Sequence, residues 1–247
     1  MRNRTFQLEK EWCRILYPKK PNGFAVLIIA DQNHYVDQNT DFWTEHISRQ
    51  QLVEDLLSKG YYIFYSNLYG NHWGSPKAIS LLKLLIHHVK KSEIINNRIH
   101  IIAEGMGSIT VEKLTKTSAK DIRSIVFINP CLSLKEHIQQ EEEKKFFQKK
   151  LMKELSQSYE FDEKHYEAFK NRLKENPFYL ESLKVPVCFI HWIGSTRYIS
   201  QDLLIKNIYN RRVEGEYQTK MVYVLPEKRF TSNQMIVSFL EEYEGEL

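Results

Sequence analysis

The chain has 247 residues, 42% hydrophobic and 27% charged, enough for one large α/β domain with a sizeable core. Its net charge of +4 is spread by interleaving, as in Glu141-Glu142-Glu143-Lys144-Lys145, which reads as a solvated helix face and argues against a nucleic-acid partner. The apolar run Phe24–Ala30 falls far short of the roughly 20 residues a membrane helix needs, and the charged start leads into no signal-like segment, so no membrane insertion is expected.

In chain order, Phe6–Tyr17 reads as one or two short antiparallel strands at a sheet edge. Ala25–Ala30 is a buried strand. A helix follows over Gln50–Lys59 and stops at Gly60, a residue suited to a helix C-terminus. Tyr62–Tyr65 is the next strand. Ser75-Pro76 opens a helix carrying Ile79, Leu82, Leu85 and Ile86 on one side. Strand Ile99–Ala103 leads directly into helix Met106–Thr117, and strand Ser124–Ile128 comes after it. Residues 132–174 carry helix signal without strand signal. Strands Val187–His191 and Met221–Leu225 follow, and a last helix from about Ser232 is expected to face Met235, Ile236, Phe239 and Leu240 inward.

These strands are continuously apolar rather than alternating, which means burial on both faces and a mainly parallel sheet of six to eight strands between helices. Residues 1–247 read as a single domain with a helical insertion at 132–174. Phe146, Phe147, Leu151 and Leu155 in that insertion need something to cover, which places it as a cap over the C-terminal strand ends.

The segment Ile99-His100-Ile101-Ile102-Ala103-Glu104-Gly105-Met106-Gly107-Ser108 is a buried strand that stops at a small residue and turns at once into a helix. This is the setting of the nucleophile elbow, G-x-S-x-G, whose tight turn needs small residues two before and two after its apex. Ala103 and Gly107 meet that need, and Gly105 occupies the apex. With its flanks, the chain resembles the α/β-hydrolase superfamily, in particular bacterial esterase and lysophospholipase-like members. Those flanks are Phe24–Asp31, the Gly60-Tyr61-Tyr62 step, the loop Asn67–Ser75, Asn129-Pro130, and Asn176-Pro177 through Val187.

The resemblance implies an α/β-hydrolase fold and slots for a nucleophile, an acid and a histidine, in that order. Gly105 falls at the nucleophile slot, Ser195 near the acid slot and Arg229 near the histidine slot. Of the nine histidines none follows His191, so no register supplies a base after the last strand. The oxyanion donors implied are backbone N–H groups of Met106 and a residue near Gln32, although Ala30-Asp31 stands where the family has His-Gly. His34, His72 and Trp192 are candidates for lining a pocket. Ser108 reads as a small packing residue with its hydroxyl bonded to backbone. The adjacent pair His87-His88 has the wrong spacing for a metal, and no metal or cofactor is assigned. Cys13, Cys131 and Cys188 form no CxxC pair, which suggests neither disulfides nor zinc and fits a reducing cytoplasm.

Three functions are compatible with these residues. The first is a non-catalytic hydrolase-fold protein that binds a small apolar ligand or a protein partner. The second is an esterase-like enzyme using unorthodox residues such as His72, Ser195 or Arg229. The third is a structural protein whose old pocket is plugged by Trp73, Met106, Trp192 and Tyr198. The space above Gly105 discriminates among them.

Overall fold

The computed structural model describes residues 1–144, 148–173, 178–228 and 230–245. β1 (Arg2–Leu8) and β2 (Glu11–Tyr17) form an antiparallel hairpin. Its two-residue turn, Glu9-Lys10, has positive φ at both positions (49° and 71°), the twist that matches a tight hairpin, here without glycine. Then come β3 (Ala25–Ile29), the short α1 (Phe42–Glu45), α2 (Ile47–Ser58), β4 (Tyr62–Ser66), α3 (Pro76–Ser92), β5 (Ile99–Glu104), α4 (Gly107–Ser118) and β6 (Ile122–Ile128). The insertion holds α5 (Leu134–Glu143), α6 (Gln148–Tyr159) and α7 (Tyr166–Arg172). The chain returns through β7 (Val187–Trp192), α8 (Asp202–Glu214), β8 (Thr219–Val224) and α9 (Thr231–Glu242).

The strands form one eight-stranded sheet in the order β1-β2-β4-β3-β5-β6-β7-β8. β1 and β2 run antiparallel and all later neighbours pair in parallel. Successive side chains of each strand face opposite helical layers. Ile99, Ile101 and Ala103 of β5 pack toward α3, α4 and α8, through Leu82, Leu85, Val111 and Ile208. Ile102 packs toward α2 and α9, through Leu52, Leu56, Ile236 and Leu240. Burial on both faces explains why β3 to β7 read as unbroken apolar runs. The last expected strand, Met221–Leu225, differs: β8 ends the sheet, has a neighbour on one side only, and is mostly half-buried or exposed.

Two expected orientations differ in the structure. The buried stripe of α9 runs through Ile236, Val237, Phe239 and Leu240, and Met235 lies outside it, exposed. On α3 the inward positions are Ala78, Leu81, Leu82, Leu85, Ile86 and Val89, with Ile79 only half-buried.

The insertion packs through its own apolar cluster. Leu134, Ile138, Leu151, Leu155 and Tyr166 meet Trp73, Met106, Ile109 and Tyr198, which lie on the loops and the helix that follow the strands. Phe146 and Phe147 lie outside the described residues, as do Asn176 and Pro177. No helix among the described residues is long and apolar enough to cross a membrane.

The tightest crossing in the fold is between β3 and the start of α4. A Cβ on Gly107 would stand 2.5 Å from the Ile29 carbonyl oxygen and 2.9 Å from that of Ala30, both backbone atoms with nowhere to move. We expect Gly107→Ala to lower stability by about 1–3 kcal/mol through overpacking, read as a reduced urea midpoint. A neutral result would show that β3 and α4 can separate.

Candidate functional site

β5 ends at Glu104, and the chain turns at Gly105, with φ +48°, into α4. This is the sharp strand-to-helix turn expected of the sequence. The Gly105 N–H donates to the Ile128 carbonyl (3.0 Å), and its own carbonyl accepts from Cys131 N–H (2.9 Å) and Ser108 N–H (3.1 Å). The turn is therefore pinned to the end of β6.

The space over this turn is occupied by the carboxylate of Asp31, at the end of β3. Its Oδ1 accepts the Met106 N–H (2.9 Å) and the Tyr198 hydroxyl (2.6 Å), while Oδ2 accepts Arg197 Nη1 (2.9 Å). Asp31 is 7% exposed. Met106 caps the N-terminus of α4, so the carboxylate also sits at the positive end of a twelve-residue helix. A Cβ built on Gly105 would overlap the carboxylate carbon and both oxygens of Asp31. A side chain at 105 and the Asp31 carboxylate in this position exclude one another. Burial, followed by the neighbouring Asp31 charge, pushes the Tyr198 phenol well above its ordinary value, so it stays a donor.

A second carboxylate, Glu104, forms a buried ion pair with Arg49 of α2. That guanidinium lies over the rings of Trp192 (4.8 Å) and Trp43 (5.6 Å). Burial raises the Glu104 carboxyl above its usual range, Arg49 pulls it down, and the Asp31 charge raises it further.

The histidines nearby have settled, neutral environments. His72 is 2% exposed; its Nδ1 accepts the Gly74 N–H and lies 3.2 Å from the Thr110 hydroxyl. His34 Nδ1 accepts the Asp31 backbone N–H (3.3 Å), and its ring stacks on Phe42 at 3.7 Å. Neither meets a carboxylate oxygen within hydrogen-bond distance among the described residues. Burial pushes His72 down to about 4 and His34 to about 3.

Trp73 is fully buried. It stacks on His137 (5.0 Å), its Nε1–H donates to Glu154 of α6 (2.9 Å), and its carbonyl accepts the Tyr159 hydroxyl (2.7 Å). Trp73, Met106 and Tyr198 thus fill the ground beneath the insertion as one apolar cluster. Trp192 is not part of it and lies on the Arg49 side.

The structure does not gather the residues that the sequence nominated. Gly105 and Met106 adjoin Asp31. Ser195 faces a separate hollow of about 300 Å³, with Pro130, His191, Trp192, Asp202 and Tyr223. Gln32 borders a second hollow of about 310 Å³ between the insertion and the loops after β3 and β7, with His137, Lys144, Lys150 and Arg197. Arg229 lies outside the described residues. The Ser108 hydroxyl is buried and has no hydrogen-bond partner among the described residues, contrary to the expected backbone bond; only its N–H bonds backbone, at the Gly105 carbonyl. Among the described residues no group of three or more His, Cys, Asp or Glu could hold a metal ion.

Arg197, Glu104 and Arg49 were missed from sequence, Tyr198 was named only as a filler of the pocket, and Asp31 only as a departure from His-Gly. One signal was available: a charged residue closing a wholly apolar strand must find a partner when buried.

No protein-family model and no curated protein matches the chain. Its fold does match known structures. Est1E from Butyrivibrio proteoclasticus superposes with a TM-score of 0.70 at 12% identity, over 98% of each chain. An esterase from Pyrococcus furiosus gives 0.66 at 16% identity, over 99% of this chain and 91% of the other. The acylaminoacyl peptidase of Pyrococcus horikoshii gives 0.66 at 15% identity; all of this chain is covered but only 42% of the peptidase. At these identities the likeness concerns architecture: the chain has an α/β-hydrolase fold, with helices on both faces of its sheet and a helical insertion after β6.

Two measurements check the site. Gly105→Ala should cost about 2–3 kcal/mol, from overlap with Asp31 and the strained φ. In an Asp31→Ala background the same change should cost at least ~1 kcal/mol less, a non-additivity read from a four-protein urea cycle. Strict additivity would separate the two residues. The second concerns acid. His34, His72, His100 and His137 are held by burial at about 3, 4, 3 and 4, below the ordinary 6.5. The unfolded chain takes up protons near pH 6.5 and the folded one does not, so stability is complete above that pH and falls as pH drops toward 4. Urea midpoints that hold level from pH 7 to 4.5 would contradict this.

Proposed function

We propose that this protein is a non-hydrolytic member of the α/β-hydrolase fold, working by binding rather than by serine chemistry. The observation that carries this reading is the Asp31 carboxylate. It fills the space a nucleophile at position 105 would need, and it takes the Met106 N–H that would otherwise stabilise an oxyanion. On this reading Gly105, Ser195 and Arg229 stand at the nucleophile, acid and histidine slots and none supplies the chemistry of its slot. The lack of any histidine after His191 supports the same conclusion from sequence.

The filling of the space beneath the insertion by Trp73, Met106 and Tyr198 argues against a ligand directly over the turn. It is compatible with binding elsewhere at the C-terminal end of the sheet, where ligands of open α/β sheets bind. A small apolar ligand or a protein partner remains the class proposed.

The test is direct. The unmodified protein should neither turn over p-nitrophenyl esters nor be labelled by a fluorophosphonate probe. Gly105→Ser should remain unlabelled and be destabilised, since its hydroxymethyl group must displace Asp31. The triple change Gly105→Ser, Ser195→Asp, Arg229→His should fail too, because a misplacement of about 1 Å costs roughly a hundredfold in rate. Turnover by the unmodified protein that disappears in Asp31→Asn would overturn the reading and make Asp31 a catalytic carboxylate.

A further inference from the structure

The hollow beside β7 has the chemistry of a ligand site. It opens between the ends of β6 and β7 and the start of α8. Its volume of about 300 Å³ lies at the small end of ligand pockets, which run from about 300 to 1,000 Å³. Tyr198, Tyr223 and Ile205 contribute apolar walls. Ile193 and Ile199 stand at its mouth, 46% and 56% exposed. Large apolar side chains held in water around a concavity are the pattern of a binding mouth rather than of ordinary surface.

The polar groups are few and placed. Asn129, with φ +42°, holds the end of β7 by accepting the Trp192 N–H on its side-chain oxygen (2.8 Å). His191 stacks on Tyr223 at 5.3 Å, and its Nδ1 lies 4.0 Å from the Asp202 carboxylate. Its Nε2 is buried with no hydrogen-bond partner among the described residues. Among the described residues that line the hollow, Asp202 alone carries a formal charge, and its side chain is 54% exposed. Lys206, one turn further along α8, does not line the hollow.

Aromatic walls, an apolar mouth and a single carboxylate select against anions and favour a compact apolar body with a positive end. We propose that this hollow binds a small aromatic amine, its ring against Tyr223 and its ammonium toward Asp202. This rests on the non-hydrolytic, ligand-binding reading and specifies its ligand class. The position at the C-terminal strand ends, beside the Asp31 cluster with which it shares Tyr198, lets binding proceed with the turn at Gly105 closed.

The experiment is a titration of the full chain with tryptamine, indole and indole-3-propionate by isothermal calorimetry, with chemical-shift mapping of the His191 and Tyr223 signals. Tryptamine should bind more tightly than indole, and indole more tightly than the carboxylate. Asp202→Asn should weaken tryptamine about threefold to fivefold, the size of a half-exposed ion pair, and leave indole unchanged. Tyr223→Ser, at a half-exposed position, should weaken tryptamine and indole alike while the thermal midpoint stays close to that of the parent. The proposal is overturned if tryptamine and the carboxylate bind equally, if Asp202→Asn leaves tryptamine unaffected, or if no probe binds at millimolar concentration. Tryptamine binding by a protein that also hydrolyses esters would leave this site standing and remove the non-hydrolytic reading. No binding and no hydrolysis would do the reverse.

Discussion

One carboxylate organises the C-terminal end of this sheet. Asp31 closes a strand whose other residues are apolar and fully buried, and a lone charge there would be costly to desolvate. Three donors from two other chain segments meet it: the first N–H of α4, and Arg197 and Tyr198 from the loop after β7. In the sheet, β7 is separated from β3 by β5 and β6, so this loop must reach across both strand ends. The reach is possible only because position 105, between them, has no side chain. Gly107 has a different reason to be small, the approach of β3 backbone to the helix. The two glycines of the turn thus answer to separate constraints, one set by the Asp31 side chain and one by the Ile29 and Ala30 carbonyls.

Further ion pairs continue the pattern along the strand ends. Asp41 caps α1 through the Thr44 N–H (3.0 Å), accepts the Tyr65 hydroxyl (2.9 Å) and pairs with Arg14 of β2. Glu104 pairs with Arg49. Among the described residues each buried carboxylate in this layer has its own guanidinium, and burial keeps His34 and His72 neutral. A general acid or base needs a group poised between two protonation states near the working pH. Groups committed to fixed partners in this way make a rigid layer, which agrees with the non-hydrolytic reading proposed. The insertion joins the same layer through Trp73, and Lys113 ties the joint by donating to the Gly74 carbonyl (2.7 Å) and the Tyr159 hydroxyl (2.8 Å). Burial, followed by the neighbouring Lys116 charge, depresses the Lys113 ammonium to about 8.

The fold was legible because its signal is periodic and redundant. Continuous runs such as Ala25–Ile29 and Ile99–Ala103 leave no solvent-facing side, and the turn at Gly105 follows from an abrupt strand end beside small residues. The antiparallel edge was legible only in part: β1 starts at Arg2, before the expected Phe6, because its polar, mostly exposed residues carry no apolar run, and its Glu9-Lys10 turn is not one that composition suggests. The site was less legible. Ser195 was nominated by its place after β7, but the residues of that loop that reach Asp31 are Arg197 and Tyr198. Chain distance cannot tell which residues of an irregular loop point inward. Arg49 and Glu104 are 55 positions apart, and neither carries a pattern linking it to the other. Asp31 was visible as a departure from the expected His-Gly. Its meaning required knowing that it shares one volume with Gly105, a three-dimensional fact with no local signature.

The loop after β7 faces two ways, and this links the closed turn to the hollow beside it. Arg197 and Tyr198 are anchored on Asp31, while Ser195, Thr196 and Ile199 line the hollow. Tyr198 does both: its hydroxyl is fixed on the carboxylate and its ring forms part of the hollow's wall. A loop held at its centre by a hydrogen bond to a buried charge has little conformational freedom left to lose when a ligand arrives, and binding then costs less ordering. The same contacts that fill the space over Gly105 therefore pre-form the neighbouring concavity. Closure of the one and shape of the other follow from a single anchor, so a protein that binds beside its elbow gains from keeping the elbow closed.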